Sequence, residues 1–343
     1  MGINIGEIIP KREIELSFLK DKIIAVDAYN TLYQFLTTIR QPDGTPLQDS
    51  SGNITSHLSG LLYRNLNLIL NGIKLVYVFD GKPPELKQCE IEKRKQVKYA
   101  SELKYEEAKR LRDIDAMKKY SSRTVSLNNE IIEQSKELLE AMGIYCIESP
   151  NEGEAEAASL AKNNFVWASA SQDYDSLLYG TPYLVRNLTL ARKRKINTGE
   201  YVDVNIELVE LRQVLNRLDI DLDQLICLAI LVGTDYNPGG VKGLGQKKAL
   251  EIVQKYKYPF EIFKYVQNKY SEEINFDWQE IFRVFHEYEL GNVKEIKFPE
   301  INYSKIKSIL LRYEFNEARI DSAIDRLKDF FENKKQKGLS EFF

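Results

Sequence analysis

Seven acidic residues, in five short stretches of this chain, are the side chains best suited to chemistry. They are Asp27, Asp80, Glu152, Glu154, Asp173, Asp175 and Asp235. Three of the stretches follow apolar runs, at 23–26, 75–79 and 166–170; Asp27 and Asp80 come at once, and Asp173 comes within three residues. In an open parallel sheet the carboxyl ends of the strands line one crevice, where ligands bind. Acids gathered there repel one another unless cations neutralise them. Hard divalent cations prefer oxygen ligands, and phosphate is their natural substrate.

Composition excludes several other kinds of site. The chain has 343 residues, a net charge of −3, three cysteines and two histidines. The cysteines are far apart and show neither metal-ligand spacing nor a disulfide framework, which favours a reducing intracellular compartment. Neither histidine has a nearby Cys or His, so a zinc site or a histidine-based hydrolase is not expected. We also expect no membrane span, signal peptide or myristoylation signal.

The elements that must position the acids follow an α/β pattern. Apolar runs predict short buried strands, and residues at helical spacing predict helices between them. This order favours a doubly wound, mostly parallel sheet. The predicted strands are 23–26, 75–79, 145–147 and 166–170, and the predicted helices between them are 29–39, 55–71 and 127–141.

A basic segment from Lys82 to Arg123 interrupts this pattern. Lys and Arg outnumber Asp and Glu there by 13 to 8, and the apolar residues make only a narrow stripe. A helix with so little to bury is marginal alone. We therefore interpret the segment as a partly helical excursion from the core that acts at the site, because it begins directly after Asp80. The alternative is a solvated helical pair with no role.

A glycine-rich turn follows the apolar helix predicted at 223–232. Three glycines, at positions 240, 243 and 245, open a second helix, Gln246–Lys255. Free backbone N–H groups at such a helix start can cradle a phosphate without reading base sequence. The alternative is an ordinary αα-hairpin whose glycines serve only the turn. Neighbouring lysines favour a DNA-binding role for Gly243, Gly245, Lys247 and Lys248.

The C-terminal part is predicted to be helical and rich in aromatic residues. A final amphipathic helix is expected over Arg319–Phe331, followed by a polar tether at Glu332–Lys335. The chain stops at two phenylalanines, Phe342 and Phe343. Aromatic side chains after a polar linker cannot reach the core easily, which indicates an anchor for a partner's pocket.

Together these residues resemble the structure-specific 5′ nucleases, in particular the archaeal type of the flap endonuclease branch. The resemblance covers essentially the whole chain and implies a fold of the PIN and 5′-nuclease kind, with a helical arch and a helix-hairpin-helix region. The motifs that carry it are Val26-Asp27-Ala28, Phe79-Asp80-Gly81-Lys82-Pro83-Pro84, Glu152-Gly153-Glu154-Ala155-Glu156-Ala157, Gln172-Asp173-Tyr174-Asp175, Gly233-Thr234-Asp235-Tyr236 and Gly243-Leu244-Gly245.

The resemblance implies a two-magnesium site, in which Mn²⁺ can substitute. The first ion would be held by Asp27, Asp80 and Glu152, and the second by Asp173, Asp175 and Asp235, with Glu154 between the two ions. Glu154 and Asp235 could act through water. The resemblance also implies that Lys87 and Arg94 contact the scissile phosphate and that Tyr33 stacks on the adjacent base. With Met1 removed, Gly2 would become the amino terminus near the site.

Further partners are implied in the same way. Lys119 and Arg123 of the arch would contact DNA, and a potassium ion would bind the hairpin through carbonyls of Gly240, Val241 and Leu244. The stretch Asn237-Pro238-Gly239 is one residue longer than in the family, which leaves the individual ion ligands open. The tail resembles a sliding-clamp (PCNA) docking motif carried by Gln336, Leu339, Phe342 and Phe343.

The expected organisation has five parts. They are a nuclease half at 1–98, an arch at 99–125, a second nuclease half at 126–258 with the hairpin at 223–255, a helical region at 259–331 and a tail at 332–343. The expected enzyme is monomeric when free. Its expected location is the archaeal cytoplasm or nucleoid, or the nucleus if the protein is eukaryotic.

The expected activity is that of a magnesium-dependent 5′-flap endonuclease and 5′ exonuclease in Okazaki-fragment maturation and base-excision repair. Alternatives are a relative that cuts junctions or bubbles, a PIN-type ribonuclease, and a clamp-bound DNA scaffold with a dead site.

Overall fold

The computed structural model describes residues 2–111, 113–121, 124–191, 193–195, 200–270 and 274–340. Its centre is a seven-stranded sheet, and a separate two-stranded hairpin is formed by β7 and β8. The strands are β1 (Arg12–Ile14), β2 (Ile23–Asp27), β3 (Lys74–Phe79), β4 (Tyr145–Glu148), β5 (Ala168–Ala170), β6 (Tyr183–Arg186), β7 (Lys193–Lys195), β8 (Tyr201–Asp203) and β9 (Ile206–Glu210).

The sheet order is β1-β9-β6-β5-β2-β3-β4. The five strands from β6 to β4 are parallel, and β9 and β1 complete one edge in antiparallel pairing. The expected mostly parallel α/β sheet is therefore confirmed. β2 and β3 are apolar along nearly their whole length because parallel strands in the middle of a sheet are covered on both faces.

Helices cover both faces of the sheet. They are α1 (Ala28–Thr38), α2 (Ser56–Leu70), α3 (Gln88–Leu111), α4 (Ile114–Ser121), α5 (Asn129–Ala141), α6 (Gly153–Lys162), α7 (Leu211–Leu218), α8 (Leu222–Val232), α9 (Gln246–Tyr256), α10 (Pro259–Lys269), α11 (Trp278–His286), α12 (Tyr303–Arg312) and α13 (Glu317–Ser340).

Two large apolar cores result. One joins the sheet to α1, α2, α5, α12 and α13. The other collects α7 to α11. Helix α6 lies between the second core and the sheet, with Ala155 and Ala158 in one cluster and Ala157 and Leu160 in another. Its small residues let the helix approach β2 and β5 closely, which brings its N-terminal acids to the carboxyl edge of the sheet.

The basic excursion forms two helices, α3 and α4, that contact each other. Val97, Leu103 and Leu111 are exposed by 58%, 58% and 66%. These apolar side chains are not covered by the described part of the core, so the pair projects from the molecule as expected. α3 runs unbroken across residues 98 and 99, where a domain boundary was expected. The five-part division itself stays a prediction.

The final helix is longer than expected. α13 continues to Ser340, so the prediction of a tether starting at Glu332 is wrong for the described residues. The stretch after Phe331 contains no proline to stop a helix. Among the described helices, none has the length and apolar character needed to cross a membrane.

Candidate active site

The first two acids leave neighbouring parallel strands at the same edge. Asp27 ends β2 and is the N-cap of α1, where its Oδ1 accepts a hydrogen bond from the Asn30 backbone N–H at 3.0 Å. β3 pairs with β2 in register, so Asp27 lies opposite Val78. Asp80 therefore follows two residues further along the adjacent strand. The strand-end layout recognised in the sequence brings these two carboxylates together.

A glycine joins Asp80 to α6. The Gly153 backbone N–H donates to Asp80 Oδ1 at 2.7 Å, and Glu152 is the N-cap residue of the same helix. A Cβ at position 153 would lie 2.8 Å from Asp80 Oδ1 and 2.8 Å from the Val78 carbonyl oxygen. Contacts that short do not occur, so this approach requires glycine. The N-terminus of a helix favours nearby negative charge, which stabilises Asp80 there.

The second pair of acids is held by the start of the chain. The Gly2 N donates to Asp173 Oδ1 at 3.1 Å, and the Ile3 N–H donates to Asp175 Oδ1 at 2.8 Å. A Cβ at Gly2 would lie 2.4 Å from the Asp173 Cβ, so a side chain has no room there. Gly2 thus lies beside the acids, where the resemblance placed it.

Asn30 connects the two groups of carboxylates. Its backbone N–H donates to the N-cap carboxylate of Asp27, and its Nδ2 donates to Asp173 Oδ2 at 3.1 Å. One residue on the first turn of α1 therefore contacts an acid from β2 and an acid that follows β5. Sequence reasoning missed Asn30, although its spacing of three from Asp27 is a typical capping distance.

Glu154 lies among three of these acids. Its Oε1 accepts hydrogen bonds from the Ser176 backbone N–H at 3.1 Å and from Ser176 Oγ at 2.9 Å. Burial raises the pKa of Glu154 well above its ordinary value, and the charges of Asp175, Asp173 and Asp27 raise it further. Glu154 therefore lies within electrostatic reach of both groups.

Several carboxyl groups share this perturbation. Burial, followed by the charges of Asp80 and Asp173, raises the pKa of Asp27 to about 8. The pKa of Asp175 rises to about 7, mainly through burial and then through Asp173. The pKa of Asp80 rises to about 6, again mainly through burial. Burial and repulsion between neighbouring carboxylates both favour the neutral form, so these pKa values rise.

Two cations of the projecting segment contact the other end of the cluster. Lys87 Nζ donates to Glu152 Oε1 and lies 3.0 Å from Asp235 Oδ2. Arg94 Nη2 lies 2.7 Å from the same Asp235 oxygen. Burial opposes ionisation of Asp235, but Lys87 and Arg94 outweigh it and hold its pKa below the ordinary value. Lys87 and Arg94, expected at the scissile phosphate, therefore lie directly beside the acids.

In the described ranges, no three acidic, cysteine or histidine side chains already form a metal-ligand group. The contacts above give a physical reason. Lys87 bridges Glu152 and Asp235, so a side-chain cation takes the place between two of the expected ligands. The seven acids are linked through shared donors and mutual electrostatic effects.

Tyr236 is a second residue that sequence reasoning missed. Its hydroxyl donates to Glu152 Oε2 at 2.6 Å and lies 3.2 Å from the Tyr179 hydroxyl. Glu152 is thereby held through both carboxylate oxygens, by Tyr236 on one and Lys87 on the other. Its position next to Asp235 in Gly233-Thr234-Asp235-Tyr236 was the available signal.

Two further predicted residues, Tyr33 and Lys119, are exposed. Tyr33, on α1, is 42% exposed, as a base-stacking residue must be. Lys119 lies on α4 and is exposed, with its Nζ 5.5 Å from the centre of the Tyr120 ring. Arg123 lies outside the described residues. Their roles stay predictions.

The glycine turn between α8 and α9 has an open shape. It lines a cavity of about 630 Å³ formed by residues 238–245 and Asn275. Gly240, with φ of 57°, packs so closely that a Cβ would lie 2.4 Å from the Leu231 carbonyl oxygen. Gly243 and Gly245 face open space instead, and Lys247 and Lys248 are exposed on the first turn of α9.

The stretch 237–239 begins with a buried asparagine at the base of the turn. Asn237 is buried, its Oδ1 accepts from Thr234 N–H and Oγ1, and its Nδ2 donates to the Ile230 carbonyl at 2.7 Å. The backbone carbonyl of Val241 accepts the Leu244 N–H at 3.0 Å.

The expected clamp motif is only partly described. The backbone of Gln336 and Leu339 belongs to α13, whereas Phe342 and Phe343 lie outside the described residues.

Comparison with known protein families shows which class of protein this fold and site belong to. The XPG N-terminal domain family matches residues 3–101, and the XPG I-region family matches residues 143–235. The second match contains Glu152 to Asp235, and the first contains Asp27 and Asp80. The DNA-bound catalytic core of Rad2 shares the fold at a TM-score of 0.67 and 22% identity, covering 94% of this chain and 97% of that one. These matches identify an XPG-type nuclease fold.

Closer relatives identify the branch. Flap endonuclease 1 of Staphylothermus marinus is 47% identical over 352 residues, covering 100% of both chains. Flap endonuclease 1 of Pyrococcus furiosus is 48% identical, covering 100% of this chain and 99% of its own. The structure of flap endonuclease-1 from Methanococcus jannaschii aligns at a TM-score of 0.74 and 40% identity, covering 97% of this chain and all of that one. The chain belongs to the flap endonuclease 1 family.

Proposed function

We propose that this chain is a structure-specific endonuclease that cuts 5′ flaps of branched DNA by hydrolysing one phosphodiester bond. Family membership supports a nuclease that uses divalent metal ions and binds branched DNA. The observation that carries the proposal is the linked set of seven carboxylates at the carboxyl edge of the sheet. Lys87 and Arg94 of the projecting segment reach directly into this set.

The donor set fits hard divalent cations. All seven candidate ligands are carboxylates, and the raised pKa values of Asp27 and Asp175 reflect buried negative charge that a cation would relieve. We assign one Mg²⁺ to Asp27, Asp80 and Glu152, and a second to Asp173, Asp175 and Asp235, with Glu154 between them and Mn²⁺ as a substitute. When bound, such ions lower the pKa of water and stabilise negative charge on a leaving oxygen.

Lys87 and Arg94 would exchange partners during the reaction. Both contact Asp235 in this structure, and Lys87 also contacts Glu152. Once those carboxylates are neutralised, the two cations are free to bind the scissile phosphate and offset charge on its oxygens. Tyr33, exposed on α1, would stack on the adjacent base and orient it.

Substrate choice would be geometric. Gly245 is the N-cap of α9 and has no side chain to cap the helix, so backbone N–H groups at the start of α9 are available to a duplex phosphate. Lys247 and Lys248 add positive charge, and the open cavity beside the turn gives the backbone access. On the other side of the site, the projecting α3–α4 pair would let a 5′ single strand pass, with Lys119 and Arg123 as contacts. These contacts read phosphates and stacked faces, not base sequence.

We assign a potassium ion to the hairpin through carbonyls of Gly240, Val241 and Leu244. The carbonyl of Val241 accepts one hydrogen bond and keeps a second lone pair for such an ion. We further propose 5′ exonuclease activity and roles in Okazaki-fragment maturation and base-excision repair.

The tail would bind a sliding clamp of the PCNA type through Gln336, Leu339, Phe342 and Phe343. We expect the free enzyme to be a monomer in the cytoplasm or nucleoid of an archaeon. Deleting residues 336–343 should abolish clamp stimulation and spare cleavage by the free enzyme. Clamp binding that survives the deletion would remove the tail assignment.

The main test uses a labelled 5′-flap duplex and a four-way junction, with and without Mg²⁺. Asp80→Ala and Asp173→Ala should stop cleavage, whereas Asp329→Ala, an exposed acid on α13, should cut as the parent does. The parent should prefer the flap. Cleavage by Asp80→Ala at the parent's rate, or a preference for the junction, would overturn the proposed function.

A further inference from the structure

A buried acid of α6 lies outside the proposed metal set. Glu156 has none of its surface exposed, although it belongs to the helix that carries Glu154. Its Oε2 accepts from the Tyr288 hydroxyl at 2.8 Å, and the Gly291 backbone N–H lies 3.1 Å from both carboxylate oxygens. A buried carboxylate is costly unless its oxygens are hydrogen-bonded. Its partners come from one segment, residues 288–298, which we call the strap.

The strap joins α11 to α12 and packs against the core that contains α6. Leu290, Val293 and Phe298 are half-buried against the cluster formed by β2, β3 and α6. A Cβ at Gly291 would lie 2.9 Å from Glu156 Oε1 and 3.2 Å from the Pro150 ring. The strap therefore passes so close to Glu156 and to the turn before Glu152 that only glycine fits without displacement.

One route leads from Tyr288 to the backbone of Glu152. The Tyr288 hydroxyl lies 3.4 Å from Ser149 Oγ, and Ser149 Oγ donates to the Glu152 carbonyl oxygen at 3.0 Å. Ser149 Oγ also accepts the Asn151 N–H at 3.2 Å. Tyr288 donates its one proton to Glu156 and Ser149 donates its one proton to Glu152, so their 3.4 Å approach is a packing contact that places the turn before Glu152 against the strap.

A second route leads to the side chain of Glu152. The Tyr288 ring packs edge-on against Tyr179, with centroids 5.5 Å apart. The Tyr179 hydroxyl lies 3.2 Å from the Tyr236 hydroxyl, which donates to Glu152 Oε2. Phe285 of α11 contacts the rings of Tyr179 and Tyr236. Both routes start at Tyr288 and end at one candidate metal ligand.

We propose that Glu156, Tyr288 and Gly291 form a clamp that positions Glu152 for metal binding, so that the strap is an outer part of the active site. The proposal rests on the proposed function, because it assumes that Glu152 is a ligand. The three are positioning residues and do not touch the substrate. Lys87 donates to Oε1 of Glu152. The orientation of the Glu152 carboxylate therefore also depends on the groups that hold its Oε2 and its backbone.

The test measures Mn²⁺ binding to the full-length protein without DNA, by calorimetry, together with unfolding free energy. Tyr288→Phe and Glu156→Gln should weaken Mn²⁺ binding about 10-fold, at the low end for groups that orient a metal ligand. Tyr77→Phe is the matched control, because it also removes a hydroxyl hydrogen bond, to Asn65 Oδ1 at 2.9 Å, in the core away from Glu152. It should lose stability and keep Mn²⁺ affinity.

The outcomes separate the clamp from the proposed function. If Tyr288→Phe binds Mn²⁺ as tightly as Tyr77→Phe does, the clamp is wrong while the metal site stands. Glu156→Gln can misfold, so Tyr288→Phe decides, because it keeps the ring against Tyr179 and removes the hydroxyl that donates to Glu156, the bond on which the clamp depends. If the parent protein binds no Mn²⁺, the proposed function fails and the clamp fails with it. Weaker binding in Tyr288→Phe, with stability equal to the control, supports the clamp.

Discussion

Asn30 offers the most direct test of how the two groups of carboxylates are joined. In Asn30→Ala the backbone N–H of residue 30 still donates to Asp27, so the N-cap of α1 is kept, but the 3.1 Å hydrogen bond from Nδ2 to Asp173 Oδ2 is lost. Hydrogen bonds to charged groups contribute about 1.5–3 kcal/mol. Since about 1.4 kcal/mol corresponds to tenfold in an equilibrium constant, we expect metal binding by the Asp173 group to weaken about 10- to 100-fold.

The assay is single-turnover cleavage of a labelled 5′-flap duplex, with enzyme in excess and Mg²⁺ titrated. Asn30→Ala should need more Mg²⁺ to reach half its maximal rate, while binding of the flap without metal stays the same. Gln34→Ala is the matched control, because Gln34 lies one turn further along α1 and its side-chain Oε1 accepts a hydrogen bond from the neutral Thr189 hydroxyl at 3.1 Å. If the two variants show the same Mg²⁺ dependence, the bridging role of Asn30 is refuted.

Three further predictions concern other parts of the chain. Gly153→Ala should displace Asp80 and reduce both activity and stability. Gly245→Ala, where a Cβ meets open space, should be as stable as the parent. Thermal unfolding of both variants tests this difference. Replacing Lys247 and Lys248 by Ala should reduce the slope of log affinity against log salt by about 2 in a duplex-binding titration, and an unchanged slope argues against phosphate contacts. Burial lowers the pKa of His57 from 6.5 to about 4. The unfolded chain therefore binds this proton first, and folding stability should fall by roughly 3 kcal/mol as pH drops from about 6.5 to 4. In denaturant titrations, His57→Gln should lose this dependence of stability on pH. His286→Gln, at an exposed position, is the control and should retain the dependence.

The central strands and their acids were predictable because their signal is local. β2 and β3 are buried on both faces, so each is an unbroken apolar run, and the carboxylate follows at the strand end. Glu152 and Glu154 were visible as acids at a helix start.

The antiparallel edge was not predictable from local pattern. β1 has only three residues, and two of them, Arg12 and Glu13, are exposed and charged. It pairs with β9, across nearly two hundred residues of sequence. Short edge strands of this kind carry little alternation, so their pairing depends on the rest of the sheet.

The connections between candidate ligands were also hidden in the sequence. Asn30, Tyr236 and Gly153 are ordinary residue types, and each acts through a partner more than 70 residues away. Their roles emerge only when the strands and helices are assembled. Lys87 and Arg94 were assigned by resemblance alone, and their contacts with Asp235 join parts of the chain more than 140 residues apart.

The measurement that tests the account most directly is a crystal of this protein soaked in Mn²⁺, with anomalous difference density calculated at the manganese edge. We predict density for manganese among Asp27, Asp80, Glu152, Asp173 and Asp175, with the Lys87 amine moved away from Glu152. Density at other positions, or none within this cluster while the protein cleaves flaps in the same Mn²⁺ buffer, would contradict the proposed site.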